Sequence, residues 1–371
     1  MHILMTVNAA WNISNFRRPL VAAFVADGHC VTVLAPPDDS VADIEAAGCR
    51  FVPLAMNAKG LNPFRDPMLA RRLKNVIRTE QPDAVLGYTI KNNIFGAIAA
   101  RRAGVPFIPN VTGLGTAFLS GGTLQRVAEM LYRYAFRDLP VVFFQNEDDL
   151  ALFLDRKLVR ESQARLLPGS GIDLAHFSAG PFSERADGPV FLMIARLLHD
   201  KGVVEYVEAA RLLKSTMPRA RFQLLGPPGA ENRTAIDLKT VEAWGAEGAI
   251  EYLGETDDVR PFIAEADCVV LPSYREGAPR TLIEAAAMAR PTIATDVPGC
   301  RAVVEDGVTG FLCAARSGES LAAACQRFVA LPIGQREIMG LAGRRKMERE
   351  FDQEIVVAAY RKALQDVLEG G

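Results

Sequence analysis

The sequence predicts an α/β protein made of two doubly wound, parallel-sheet domains in series. Three observations lead there. Short apolar runs alternate with amphipathic helical stretches along the chain, the pattern of strand–helix–strand units. The alternation breaks once, at the polar, Pro- and Gly-containing connector "SAGPFSERADGP", and then restarts. And 371 residues are too many for one ordinary core but suit two.

Taken in order, "HILMTV" reads as a strand, "FRRPLVAAFVADGH" as a helix and "CVTVLAP" as the next strand. "DAVLGY", "PFIPNV" and "VVFFQN" are further buried strands of the first half. "ARLLPGSGIDLAHF" brings turn chemistry before the connector. Beyond it "VFLMIARLL" is a strand, "VVEYVEAARLLKSTMP" a helix and "RFQLLGP" a strand. "IEYLG", "VRPFIAEA", "DCVVLPS", "TLIEAAAMA", "PTIATDV" and "GFLC" continue the alternation. Three helical stretches, "ESLAAACQRFVAL", "GQREIMGLAGRRKMEREF" and "DQEIVVAAYRKALQDVLEG", end the chain. The expected division is a domain at 1–175, a linker at 176–188, a domain at 189–350 and a last helix at 351–371. Open α/β sheets bind ligands beyond the carboxyl ends of their strands, so a cleft between two such edges is expected.

Composition narrows the partners. The formal net charge is -2, so no overall basic field invites nucleic acid. Residues 1–180 carry 19 basic and 16 acidic side chains, a mild excess that suits a first half facing anionic lipid or phosphate. Six cysteines (30, 49, 268, 300, 313, 325) have no CxxC pair and read as small apolar residues in a reducing compartment. "MHILMTVNAAW" lacks a basic leader region and reads as a first strand, not a signal peptide. No apolar run is long enough to span a membrane. The sequons at Asn12, Asn110 and Asn232 are therefore expected to be accidental.

The stretch "SYREGAPRTLIEAAAMARP" holds two acids, Glu276 and Glu284, around an expected helix start. Backbone N–H groups of Gly277, Ala278 and their neighbours would form an anion site there, with Pro279 in the first turn where a missing N–H costs nothing. Carboxylates beside a phosphate repel it unless each binds something else. Ionised Glu only accepts hydrogen bonds, and vicinal hydroxyls are good donors to it. A nucleotide-sugar carries hydroxyls on both sides of its diphosphate, so one acid would hold the ribose and the other the transferred sugar. A solvated loop acid and a helix-surface acid are the plainer alternative. "ARLLHDKG" adds Arg196 and Lys201 beyond another strand, two cations that can neutralise a departing diphosphate without a metal. No Asp-x-Asp element or His/Asp cluster with ligand spacing is present, so no metal or other cofactor is expected.

Together "ARLLHDKG", "SYREGAPRTLIEAAAMARP", "TDVPGC" and "EDGVTGFL" resemble glycosyltransferase family 4, retaining enzymes of the two-domain GT-B architecture. The resemblance covers nearly the whole chain and keeps the E-x7-E spacing. It implies that Arg196 and Lys201 contact the donor diphosphate, with Glu276 on the sugar and Glu284 on the ribose. Arg196, Lys201 and Glu276 would be the catalytic set, and Gly277, Ala278, Pro279 and Glu284 would complete the donor site. It also implies front-face attack, with the departing phosphate taking the acceptor proton, and a last helix that packs back on the first domain. "WNISNFRRPL", "GYTIKNNIFGAIAARRAGVPFI" and "NVTGLGTAF" are similar to bacterial members that extend an undecaprenyl-diphosphate-linked sugar. The implied partners are a UDP-sugar, a lipid-linked acceptor and a membrane surface, with the protein cytoplasmic and peripheral on the inner face.

On the acceptor side, "NAAWNISNFRR" follows the first strand and has no G-x-G-x-x-G, which argues against a nicotinamide cofactor. Asn8, Trp11 and Asn12 offer amides and an aromatic face to a sugar, and Arg17 with Arg18 could meet a diphosphate. A helix start with solvated arginines is equally compatible. Lys91, Asn92 and Asn93 follow "DAVLGY" and would face the same edge, or would cap the next helix. Gly113 and Gly115 in "TGLGTAF" would let backbone approach a phosphate, or form a bare turn. "DPMLARRLKNVIR" and "TLQRVAEMLYRYAFR" are basic amphipathic stretches suited to an anionic bilayer or to ordinary packing. His2, His29, His176 and His199 read as structural or surface residues, and no protein nucleophile stands out. A sugar-nucleotide 2-epimerase would need acids and histidines that the chain lacks as a clear set. A non-catalytic nucleotide-sugar-binding protein would not need the full Arg, Lys and Glu set.

Overall fold

The computed structural model describes residues 1–56, 66–114, 122–182, 187–228 and 234–369. The chain forms two compact units, Met1–Gly171 with Gln353–Gly371, and Ile172–Asp352. The first division therefore falls just before the expected end at 175, and the described part of the expected linker belongs to the second unit.

In the first unit seven parallel strands lie in the order β3-β2-β1-β4-β5-β6-β7. They are β1 His2–Thr6, β2 Cys30–Ala35, β3 Arg50–Pro53, β4 Ala84–Tyr88, β5 Phe107–Val111, β6 Val142–Phe144 and β7 Ala164–Leu166. β4 and β5 are buried throughout, as both faces of a parallel sheet must be when helices cover them. One core holds Leu73, Ile77, Phe107, Phe136 and Phe153. The other holds Ile3, Met5, Phe24, Val33 and Phe143, closed by Val356, Tyr360 and Leu364. Those last three come from the final helix Gln353–Glu369, which thus completes the first unit. Asn110 Nδ2 donates to Tyr360 Oη at 3.0 Å, and Arg361 grips Asp27 with Nε and Nη2, at 2.7 and 2.8 Å. The stretch after β1 is not a loop but a short helix, Trp11–Phe16, followed by Arg18–Ala26 with Pro19 in its first turn.

In the second unit six parallel strands lie in the order β10-β9-β8-β11-β12-β13. They are β8 Val190–Ile194, β9 Arg221–Leu225, β10 Glu251–Tyr252, β11 Cys268–Leu271, β12 Thr292–Thr295 and β13 Gly310–Cys313. The chain runs outward from β8 to one side and returns to β11 on the other. The sheet's order thus reverses between β8 and β11, as it does between β1 and β4 in the first unit. Helices Val203–Lys214 and Gly318–Ala330 pack together on one face. Arg280–Ala287 and Ile333–Lys346 pack on each other, where Gly340 lets a helix backbone approach Ala289. The stretch expected as one helix to Phe351 gives way to a π-helical turn, Met347–Phe351, and Ile172 N–H donates to Phe351 O at 2.8 Å. Among the described residues no helix is long and apolar enough to cross a membrane.

Candidate functional site

The second unit gathers its polar residues where β8, β11 and β12, neighbours in the sheet, end. Past β8 the chain turns through His199–Lys201 and enters a helix at Gly202, whose φ is +76°. A methyl group on Gly202 would sit 2.0 Å from Pro272 O, so only glycine lets this turn close on the segment after β11. Two hydrogen bonds fasten the contact: Ser273 Oγ and Tyr274 N–H both donate to Asp200 O, at 3.1 and 2.9 Å. Thr295 Oγ1, at the end of β12, donates to Ser273 O. Tyr274 Oη donates to Glu205 Oε1 at 2.6 Å, and Arg316 stacks 4.6 Å over the Tyr274 ring. A second glycine approach comes from the β12 side. A methyl on Gly299, φ +80°, would lie 2.5 Å from Gly277 O and 2.6 Å from Glu276 O.

These contacts fix the Glu276 loop against the Lys201 turn. Lys201 Nζ lies 2.5 Å from Glu276 Oε1, an ion pair between residues 75 positions apart. The side chains keep 24% and 12% of their exposure. Arg196, just past β8, is exposed and bonds no described residue through its side chain.

Pro279 caps the helix Arg280–Ala287 from outside, in an extended conformation and with no N–H of its own. The backbone donors available there are thus those of Gly277, Ala278 and the helix's first residues, and Pro279 contributes shape only. Thr281 Oγ1 donates to Ile194 O at 3.1 Å and ties the helix start to the end of β8. Glu284 is buried, so the plainer picture of a surface acid does not hold. Arg280 Nε donates to Glu284 Oε1 at 2.6 Å across one helical turn. Burial pushes the Glu284 carboxyl above the usual range, and the Arg280 charge and hydrogen bond work against that shift. The nearby Cys300 thiol is pushed up, first by burial and then by the Glu276 charge. Among the described residues no three His, Cys, Asp or Glu side chains gather as a metal site.

In the first unit Asn12 Nδ2 donates to Asn8 Oδ1 at 2.8 Å, and Trp11 is half exposed, edge-on to Phe16 with ring centroids 5.1 Å apart. Arg17 is buried and not a solvated arginine. Its guanidinium lies 4.7 Å over the Tyr88 ring and donates to Phe16 O and Ser170 Oγ, with no carboxylate among its described partners. Tyr88 Oη is buried without a hydrogen-bond partner in the described structure. The next residue, Thr89, has φ +67° and ψ 154°, a strained geometry for a β-branched residue at the end of β4. Lys91 is buried as well. Asn92 corrects the expectation of a ligand-facing amide. It is fully buried, donating to Thr6 Oγ1 at 2.7 Å and accepting from Thr89 Oγ1 at 3.1 Å, so its amide ties the end of β1 to the turn after β4. Gly113 has φ +148°, a conformation that favours glycine, and Gly115 lies outside the described residues.

Sequence reasoning passed over Arg280 and Gly299. Arg280 was open to discovery through its i,i+4 spacing from Glu284. Gly299 lies within "TDVPGC", but its packing role had no local signal, because its partner carbonyls are more than twenty residues away in sequence.

Comparison with known proteins agrees with the motifs. Residues 13–169 match the glycosyl transferase 4-like domain, and residues 188–330 match glycosyl transferases group 1. Over the full length of both chains the protein is 26% identical to the N,N'-diacetylbacillosaminyl-diphospho-undecaprenol alpha-1,3-N-acetylgalactosaminyltransferase of Campylobacter jejuni. It is also 26% identical to the UDP-Gal:alpha-D-GlcNAc-diphosphoundecaprenol alpha-1,3-galactosyltransferase of Escherichia coli, over 71% of this chain and 70% of that one. Sucrose-phosphate synthase from Thermosynechococcus elongatus shares the fold, with a TM-score of 0.82 at 19% identity over all of both chains. Anabaena HepE, in complex with UDP and glucose, matches with a TM-score of 0.80 at 18% identity over 99% of this chain and all of that one. The chain therefore belongs to the family 4 glycosyltransferases of GT-B fold.

Proposed function

We propose that the protein is a retaining hexosyltransferase that moves a hexose or N-acetylhexosamine from UDP to a saccharide carried on undecaprenyl diphosphate, in bacterial glycan assembly. The observation that carries the reading is the Lys201–Glu276 pair beyond β8 and β11, flanking the same short turn as the buried Glu284. One cation and two acids around Gly277 and Ala278 complement a diphosphate with hydroxyls at both ends. In this reading Glu276 accepts from hydroxyls of the transferred sugar and Glu284 from the ribose. Lys201 and Arg196 compensate the charge that builds on the departing diphosphate, with no metal required. The anomeric C–O bond to phosphate breaks and the acceptor oxygen bonds on the same face. The acceptor proton leaves on the phosphate, UDP is released and the anomeric configuration is kept.

The names of the Campylobacter and Escherichia relatives support an undecaprenyl-diphosphate-linked acceptor. On the acceptor side Arg17, buried with no described carboxylate partner, suits an acceptor phosphate, with Lys91 and Gly113 beside the same sheet edge. Asn8, Trp11 and Asn12 suit the acceptor sugar. Helices Asp66–Glu80 and Gly122–Phe136 expose Met68, Leu124, Val127, Met130 and Tyr134 beside Arg71, Arg72, Arg126 and Arg133. That mixture supports docking on the anionic inner face of the cell membrane, at about 1 kcal/mol per basic residue near the surface.

A panel of UDP-sugars assayed with undecaprenyl-diphosphate-linked saccharides tests the reading by released UDP and by product linkage. One donor should give acceptor-dependent UDP and an elongated lipid with retained configuration. Isomerised nucleotide-sugar would indicate an epimerase instead. UDP binding without turnover for any donor–acceptor pair would indicate a binding protein.

A further inference from the structure

Arg280 is the charged residue of the helix Arg280–Ala287 that the reading above leaves unused. It stands one turn ahead of Glu284, and its Nε reaches Glu284 Oε1 at 2.6 Å. The Glu284 side chain keeps 11% of its exposure and that of Arg280 33%, so the pair is set into the unit with the arginine toward solvent. Glu284 Oε2 takes no hydrogen bond from the described residues and retains access to solvent. The pair thus has one satisfied oxygen and one open oxygen.

An unpaired carboxylate this deep tends to take up a proton. A protonated acid would offer one O–H donor where two ligand hydroxyls need acceptors. Arginine stays charged across the accessible pH range, so it can hold the acid ionised. Elements packed on this helix also carry Arg301, Arg336, Glu337, Arg344, Arg345, Lys346, Glu348, Arg349 and Glu350. Arg301 pairs with Asp296, Lys346 and Arg349 with Glu350, Arg336 with the carbonyls of Val329 and Leu331, and Arg344 with Glu348 and the carbonyls of Leu174, Phe177 and Ala287; none of the described charged groups on these elements is hydrogen-bonded to Glu284. Glu276, in the preceding loop, is paired with Lys201. Among the described residues Arg280 is the charge that acts on Glu284.

We propose that Arg280 is a positioning residue for the nucleotide donor: it holds the Glu284 carboxylate charged through Oε1 and turns Oε2 toward the vicinal hydroxyls of a ribose. The inference rests on Glu284 as the ribose-binding acid, and the experiment separates the two claims.

The probes are UDP and 2′-deoxy-UDP, titrated calorimetrically into the purified full chain between pH 7.0 and 8.5. The proteins are the parent, Arg280→Gln, Arg280→Lys, Glu284→Gln and the double variant Arg280→Gln/Glu284→Gln. Taking the ratio of variant to parent at each pH cancels the ligand's own titration. At pH 7.0 Arg280→Gln should bind UDP about tenfold or more weakly, the loss expected when hydrogen bonds to a charged group disappear. It should also lose the parent's preference for UDP over the deoxy analogue. Both effects should recede as pH rises and Glu284 regains its charge. Arg280→Lys should keep the preference at every pH. Glu284→Gln should lose it at every pH, and the double variant should bind no worse than Glu284→Gln. A pH-independent loss in Arg280→Gln would show a structural or direct ligand role and overturn the proposal. If Glu284→Gln keeps full affinity and ribose preference, the ribose assignment itself fails. Melting curves of each variant confirm folding, and Arg280→Lys carries the comparison if the glutamine variant unfolds.

Discussion

Replacing Gly299 with alanine measures how strongly the β12 side holds the Glu276 loop. The residue has φ +80°, and an added methyl group would lie 2.5 Å from Gly277 O and 2.6 Å from Glu276 O. Both obstacles are backbone, so no side-chain rotation relieves them. A left-handed backbone costs an alanine about 1–2 kcal/mol. Overpacking against fixed neighbours adds about 1–3 kcal/mol. Together the expected loss is about 2–5 kcal/mol in the second unit. Gly307→Ala is the control, because φ is +76° there but a methyl group meets open space. It should cost about 1–2 kcal/mol from conformation alone. Urea unfolding in a Trp11→Phe background reads the second unit through Trp244, since the chain has two tryptophans. UDP titration reads the loop: Gly299→Ala should weaken binding, and Gly307→Ala should not. Equal destabilisation by the two variants, with UDP binding intact in both, would refute the close approach and its role in shaping the donor loop.

Lys201→Ala should cut turnover about 100-fold or more, as expected for a lost group that stabilises transition-state charge, while the unfolding midpoint moves little. Parallel loss of both would assign Lys201 to structure. Arg17→Gln should lower kcat/KM for the lipid-linked acceptor and leave UDP affinity unchanged; a matching fall in UDP affinity would contradict the acceptor assignment. Met130→Glu combined with Val127→Glu should reduce co-sedimentation with anionic vesicles without altering the melt, and unchanged sedimentation counts against docking through this helix. Turnover should survive prior treatment with EDTA, and activity that returns only on adding a divalent cation would show that Lys201 and Arg196 do not suffice for the leaving group.

Much of the fold was legible because parallel strands, covered on both faces, must be apolar throughout. β1, β4, β5, β8, β11 and β12 stand out in the sequence for that reason. The edge strands β3 and β7 did not, since Arg50–Pro53 and Ala164–Leu166 are short and partly exposed and carry no strong pattern. The Trp11–Phe16 helix was hidden because Asn12, Ser14 and Asn15 are turn formers as often as helical residues. At the proposed donor site, the grouping of Arg196, Lys201, Glu276 and Glu284 is an expectation from motif spacing. Which cation meets which acid was not readable, because the Lys201–Glu276 contact joins loops 75 residues apart. Asn92 shows the opposite limit. A polar residue after a strand invites a ligand reading, and only packing reveals that Thr6 and Thr89 occupy its amide.

The most direct measurement is an experimental structure of the protein with UDP bound. The account predicts the diphosphate against Gly277 and Ala278, Lys201 Nζ within hydrogen-bond reach of it, and both ribose hydroxyls on Glu284. A nucleotide bound elsewhere, or one whose ribose avoids Glu284 while Lys201 stays closed on Glu276, would contradict it.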